Sequence, residues 1–176
     1  MSEINYTQWT GLIGACCAVL SCLMATSRSS SSRHIWLLLT LFNVLFLTEV
    51  LAGYRHDIHD VFTNVLRAQS LYDERRVMQG FLVIAAAGFA IMVAGWLMNW
   101  ARRGSPAEQV AISASLAVFL LLILEVISQH SIDAMLYKHV GPIMLIGWLW
   151  LACCIATTCA AVIYYRNHSL RYVAGS

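Results

Sequence analysis

Six residues are of the types from which a metal or proton-relay site is built: Glu49, His56, His59, Glu125, His130 and Asp133. Imidazole and carboxylate are ligands that divalent iron, manganese or zinc accept, and imidazole also ligates haem. Glu49 and Glu125 each lie inside an apolar stretch, Glu49 about one turn before Gly53 and Glu125 about one turn before Gln129. A charged side chain at the centre of a membrane helix costs about 2.5–3.5 kcal/mol on insertion scales, so such a group is a functional candidate by default. Glu49, His56, Asp57 and Asp60 share one helical face if the helix bearing Glu49 continues unbroken through them. Glu125, Ser128, Gln129 and Asp133 share another. His56 and His59 stand at i, i+3.

Two readings of this cluster stand side by side. In the first, histidines ligate a divalent metal or haem while the carboxylates ligate or relay protons. In the second, Glu49 and Glu125 pair with Arg55, Arg67, Arg75 or Arg76, as intramembrane charges commonly do. The Glu-x-x-His pair of di-iron bundles does not occur in the sequence.

The elements that must position these residues are membrane helices. The 176-residue chain is 60% hydrophobic and 11% charged, where a soluble domain carries about 25% charged residues. A bilayer-spanning helix needs about 20 predominantly apolar residues. Five such stretches, over 7–25, 35–53, 77–100, 110–128 and from just after Gly141-Pro142 to about Tyr165, use up the chain. The expected fold is all-α: a polytopic membrane helix bundle of about five transmembrane helices forming a single domain, 1–176. Trp9, Trp36 and Trp100 near span ends fit an aromatic belt.

Local signals mark several boundaries. Ser105-Pro106-Ala107-Glu108 reads as a capping box with Pro at the first helical position, and Ser70-Leu71-Tyr72-Asp73 resembles it. Residues 54–69 carry an apolar stripe of Ile58, Phe62, Val65 and Leu66, so they read as a helix that prolongs the second span or lies along the interface. The first ten residues contain no Lys or Arg, which favours a retained first span over a cleaved signal peptide. Residues 166–176 read as a polar tail beyond the last span.

All six cysteines fall in the first and last apolar stretches, where Ala15-Cys16-Cys17 is echoed by Ala152-Cys153-Cys154 and Cys22 by Cys159. Small residues allow close helix approach in membranes, so the cysteines read as packing residues. A soft-metal thiolate site is the sharper alternative. Against it, neighbouring thiols point in different directions on a helix.

Five spans give two sides. Side A holds the amino terminus and the connections after spans 2 and 4; side B holds the other connections and the tail. Side B gathers Arg28, Arg33, Arg102, Arg103, Arg166 and Arg171 against the single acid Glu108, a balance of +5 against −3 for side A. The arginines of side B are spread over short connections, which places that side in the cytoplasm. The location expected is a bacterial inner membrane, amino terminus outside. Partners expected are the lipid bilayer and other membrane subunits. Net charge of +2 gives no case for nucleic acid. The functional expectation is a metal- or haem-dependent redox protein or enzyme with its site at side A; the alternative is a non-catalytic accessory or assembly subunit.

Overall fold

The structure, a computed structural model, describes residues 6–29, 32–54, 104–127 and 134–174, with side chains of the last segment up to Ser169, and scattered positions between 81 and 99. Four helices dominate: α1 (Tyr6–Arg28), α2 (Arg33–Ala52), α3 (Pro106–Ile127) and α4 (Leu145–Ala174). Each is long and apolar enough to cross a membrane. A two-residue hairpin precedes α4, with β1 (His139–Val140) antiparallel to β2 (Ile143–Met144). Its loop is Gly141-Pro142, and Gly141 takes φ 71°, the left-handed value that a tight two-residue loop requires at its first position.

The buried side chains form two layers. One holds Cys22 and Ala25 of α1, Trp36 and Leu39 of α2, Ala111 and Ile112 of α3, and Ala160, Ala161 and Tyr164 of α4. The other holds Ala15 and Ala18, Phe46 and Val50, Val118, and Ile146 and Trp150 from the same four helices. The first layer takes the carboxyl-terminal halves of α1 and α4 and the amino-terminal halves of α2 and α3. Hence α1 runs parallel to α4, α2 runs parallel to α3, and the two pairs are antiparallel to each other.

Four helices are thus long and apolar enough to cross a membrane among the described residues, and α2 ends at the opposite end of the bundle from the start of α3. In the apolar stretch 77–100 the described positions between 81 and 99 are helical. Half of that stretch, with residues 55–69 of the helix expected over 54–69 and the boundary signal at Ser70–Asp73, lies outside the described residues.

In lipid the hydrophobic effect does not drive helices together, so close packing must. The α1–α4 seam is built for it. Gly11, Gly14, Ala15, Ala18, Ser21, Cys22 and Ala25 place small residues three or four apart on one face of α1. A Cβ on Gly14 would stand 3.0 Å from that of Cys154, and one on Gly11 would stand 3.1 Å from the Trp150 ring. Cys22 and Cys154 are buried in the seam region, Cys153 is half-buried, Cys16, Cys17 and Cys159 are exposed, and all six are free thiols. The echoed segments thus run side by side in two parallel helices, with Cys22 and Cys154 packed inside and Cys16, Cys17 and Cys159 on the outer surface.

Two boundaries differ from the sequence reading. The last helix does not stop near Tyr165 but continues to Ala174. The His168 ring stacks on Tyr164 with centroids 4.1 Å apart, and its Nδ1 lies 3.1 Å from the Tyr164 carbonyl oxygen, so polar residues of the supposed tail extend the helix through i, i+4 contacts. At the other end, α2 stops. Gly53 takes φ 71° and donates its N–H to the Glu49 carbonyl at 2.7 Å, a left-handed cap. The face shared by Glu49, His56, Asp57 and Asp60 required an unbroken helix, and that condition is not met.

Candidate functional site

Polar side chains within the spans divide by whether their own helix can satisfy them. Thr26, Thr40 and Asn43 are buried, and each donates to a carbonyl four residues earlier, at 2.8, 2.8 and 2.7 Å. Such groups are provided for locally and need no partner from elsewhere. An ionised carboxylate has only acceptors, and a helix interior has no spare N–H to offer it. The acids therefore mark the places where the bundle brings in something else.

At side A, Glu125 occupies the last turn of α3 and is only 5% exposed. The Tyr137 hydroxyl, from the connection to α4, donates to Glu125 Oε1 at 3.2 Å. That connection is itself pinned. The Met144 N–H donates to the Thr7 hydroxyl at 3.1 Å, the Leu145 N–H to the Lys138 carbonyl at 2.9 Å, and the Trp148 indole N–H to the Val140 carbonyl at 3.0 Å. Gly147 sits where a Cβ would come within 2.7 Å of Ile143 and 2.8 Å of Thr7. Tyr137 is thus carried on a hairpin fastened to the start of α1, and Glu125 is held by it. Glu49 lies half-buried on the last turn of α2, at the same end of the bundle.

The other four candidates, His56, His59, His130 and Asp133, lie outside the described residues, as do Arg55, Arg67, Arg75 and Arg76. Among the described residues, no group of three His, Cys, Asp or Glu side chains is placed to hold a metal ion. The described geometry therefore gives the site one anchored carboxylate, its tyrosine donor, and a second acid at the same depth.

Side B holds a polar cavity that composition and spacing did not reveal. It measures about 570 Å³ and opens between the start of α2 (Ser32), the start of α3 (Gly104 to Glu108) and the end of α4 (Tyr164, Asn167, His168). The expected capping box forms there: the Ser105 N–H donates to Glu108 Oε2 at 2.7 Å, and the Glu108 N–H donates to the Ser105 hydroxyl at 3.3 Å. Tyr164 braces the wall, packing on Trp36 with centroids 4.9 Å apart and sharing a hydrogen bond with the Ser29 hydroxyl at 2.9 Å. The sequence signal for Glu108 was the capping box alone. Tyr164, Asn167 and His168 of α4, more than fifty residues away, line the same cavity, which spacing within α3 does not report.

No family model matches the sequence, and no curated protein or solved structure shows significant similarity to it.

Proposed function

We propose that this membrane protein works at its side A face, as a metal- or haem-dependent redox protein or enzyme of a bacterial inner membrane, with side B in the cytoplasm. The observation that carries the reading is Glu125: a carboxylate at a span end, almost wholly buried, and oriented by the Tyr137 hydroxyl. Ligating carboxylates are characteristically held by a hydrogen-bond donor of this kind, which fixes the oxygen that faces the ion. Glu49 adds a second acid at the same end, and His56, His59, His130 and Asp133 follow closely in the adjoining connections. Within this reading the histidines ligate a divalent metal or haem, while the two glutamates ligate or pass protons.

A second reading has its own support. The bond from Tyr137 to Glu125 also staples the connection before α4 to α3, which is what a purely architectural acid would do. The described apolar side chains Phe81, Ile84, Ile91, Met92 and Trp96 are more than half exposed, a surface suited to a neighbouring membrane subunit as well as to lipid. On that reading the chain is an accessory or assembly subunit without chemistry of its own.

Metal analysis and an absorption spectrum of the detergent-purified protein separate the two. A divalent metal or a haem band near one per chain, lost in Glu125→Gln, is the expected result. A cofactor-free protein that co-purifies with other subunits in fixed ratio would favour the accessory role.

A further inference from the structure

The outer edge of the α1–α4 seam carries an inference independent of the side A reading. Cys17, Met24 and Arg28 stand at i, i+7 and i+11 on α1, and Ile155, Val162 and Arg166 stand at i, i+7 and i+11 on α4. That spacing keeps each set on one helical face. All six side chains are exposed. The two stripes adjoin at both ends. Gly14, one turn before Cys17, meets Cys154, which directly precedes Ile155. At side B the Arg28 guanidinium lies over the Tyr165 ring, 5.6 Å from its centroid, one residue before Arg166. Because α1 and α4 run parallel, each stripe begins at side B with an arginine and continues toward the middle of the bundle as apolar surface.

The charge at the top of these stripes has no answer within the described chain. The described acids stand elsewhere: Glu49 and Glu125 at side A, and Glu108 in the capping box at the start of α3. The contact with Tyr165 holds the Arg28 cation in place but asks for no hydrogen-bond acceptor, so its N–H groups remain to be placed. The planar fork of an arginine matches the oxygens of a phosphate. Below the arginines, Met24, Val162 and Ile155 are 49%, 39% and 53% exposed. From Arg28 to Cys17 the stripe runs about 16 Å at 1.5 Å per residue, close to half of the ~30 Å hydrocarbon core. Cations above two apolar stripes one leaflet deep complement a two-chained lipid with a negative headgroup.

We propose that the outer α1–α4 seam binds an anionic phospholipid of the side B leaflet. Arg28 and Arg166 take its phosphate oxygens, and its acyl chains lie along the stripes headed by Met24 and Val162. Phosphatidylcholine carries its own cation beside the phosphate, so it is held less well than phosphatidylglycerol.

The test uses the full chain in nanodiscs of equal parts phosphatidylglycerol and phosphatidylcholine, with retained lipid counted by native mass spectrometry. The wild type should retain phosphatidylglycerol about 30-fold over phosphatidylcholine, roughly 5-fold from each arginine near the headgroup. Arg28→Gln and Arg166→Gln should each lower the preference to about 5-fold, and the double variant should erase it. Arg33→Gln, at an exposed arginine on the first turn of α2, should leave it unchanged. Equal retention of the two lipids by the wild type, or a preference that survives in the double variant, would overturn the site. A loss in Arg33→Gln as large as that in Arg28→Gln would replace the site with diffuse surface charge. Displacement of the lipid by an equal concentration of glycerophosphoglycerol, the headgroup without its chains, would assign the arginines to a soluble anion and overturn the role of the stripes.

Discussion

Glu108 and Glu125 occupy the two ends of α3, about 25 Å apart at 1.5 Å per residue, and are almost equally buried at 1% and 5% exposed. Their partners differ in origin. Glu108 is held by Ser105, three residues earlier in its own chain turn. Glu125 is held by Tyr137, from a hairpin that must first be pinned to α1 by Thr7. Around Glu108 the helices part and leave a cavity; around Glu125 the hairpin closes the bundle end, to the point that Gly147 has no room for a Cβ. Two acids of similar burial on one helix thus sit in different mechanical settings. The side A acid is held by tertiary structure, which fixes its geometry as a ligand requires. The side B acid is held by its own helix turn, buried beside a cavity.

The contrast should appear in mutational stability. The largest effect is expected at Gly147→Val, where the new side chain meets Ile143 and Thr7 inside ordinary contact distance. Overpacking of this kind costs about 1–3 kcal/mol, and the upper end applies because the backbone is pinned on both sides. Equilibrium unfolding in mixed micelles measures it, and a neutral outcome would show that the hairpin is not fastened as described. Next comes Tyr137→Phe, which removes the donor to a buried carboxylate and should cost about 1.5–3 kcal/mol. A loss below the detection limit would mean that other donors carry Glu125.

At the opposite end the expected losses are smaller. Ser105→Ala removes one arm of the capping box and should cost about 1 kcal/mol. If it instead matched Tyr137→Phe, side B would be as tightly coupled as side A and the contrast would fail. The smallest effect is expected from replacing the exposed cysteines Cys16, Cys17 and Cys159 with Ala, within about 0.5 kcal/mol. Loss of folding or of a bound metal in that variant would restore the thiolate reading.

Much of the architecture is legible in residue patterns because it depends on local facts. Spans of about 20 apolar residues declare themselves, the capping box at Ser105 to Glu108 forms as its residue types dictate, and small residues spaced along α1 announce a close seam. The parts that escape depend on a single backbone choice or on distant segments. Gly53 permits both helical and left-handed conformations, and its left-handed φ breaks the register on which the Glu49–His56 face depended. The helix through His168 is stabilised by a ring stack that hydropathy does not register. The cavity at Glu108 exists because α4 passes there, and the bond to Glu125 because a hairpin returns Tyr137 to α3. Of the candidate site, the two glutamates at one end are legible, whereas the tyrosine that orients one of them is not.

The most direct test of the side A assignment is calorimetric titration of metal-stripped protein with Mn²⁺, Fe²⁺ and Zn²⁺, run in parallel on the wild type, Glu125→Gln and Glu108→Gln. Stoichiometric binding of at least one of these ions by the wild type and by Glu108→Gln, and its loss in Glu125→Gln, is the predicted result. Absence of binding in the wild type, or binding that survives Glu125→Gln and disappears in Glu108→Gln, would contradict it.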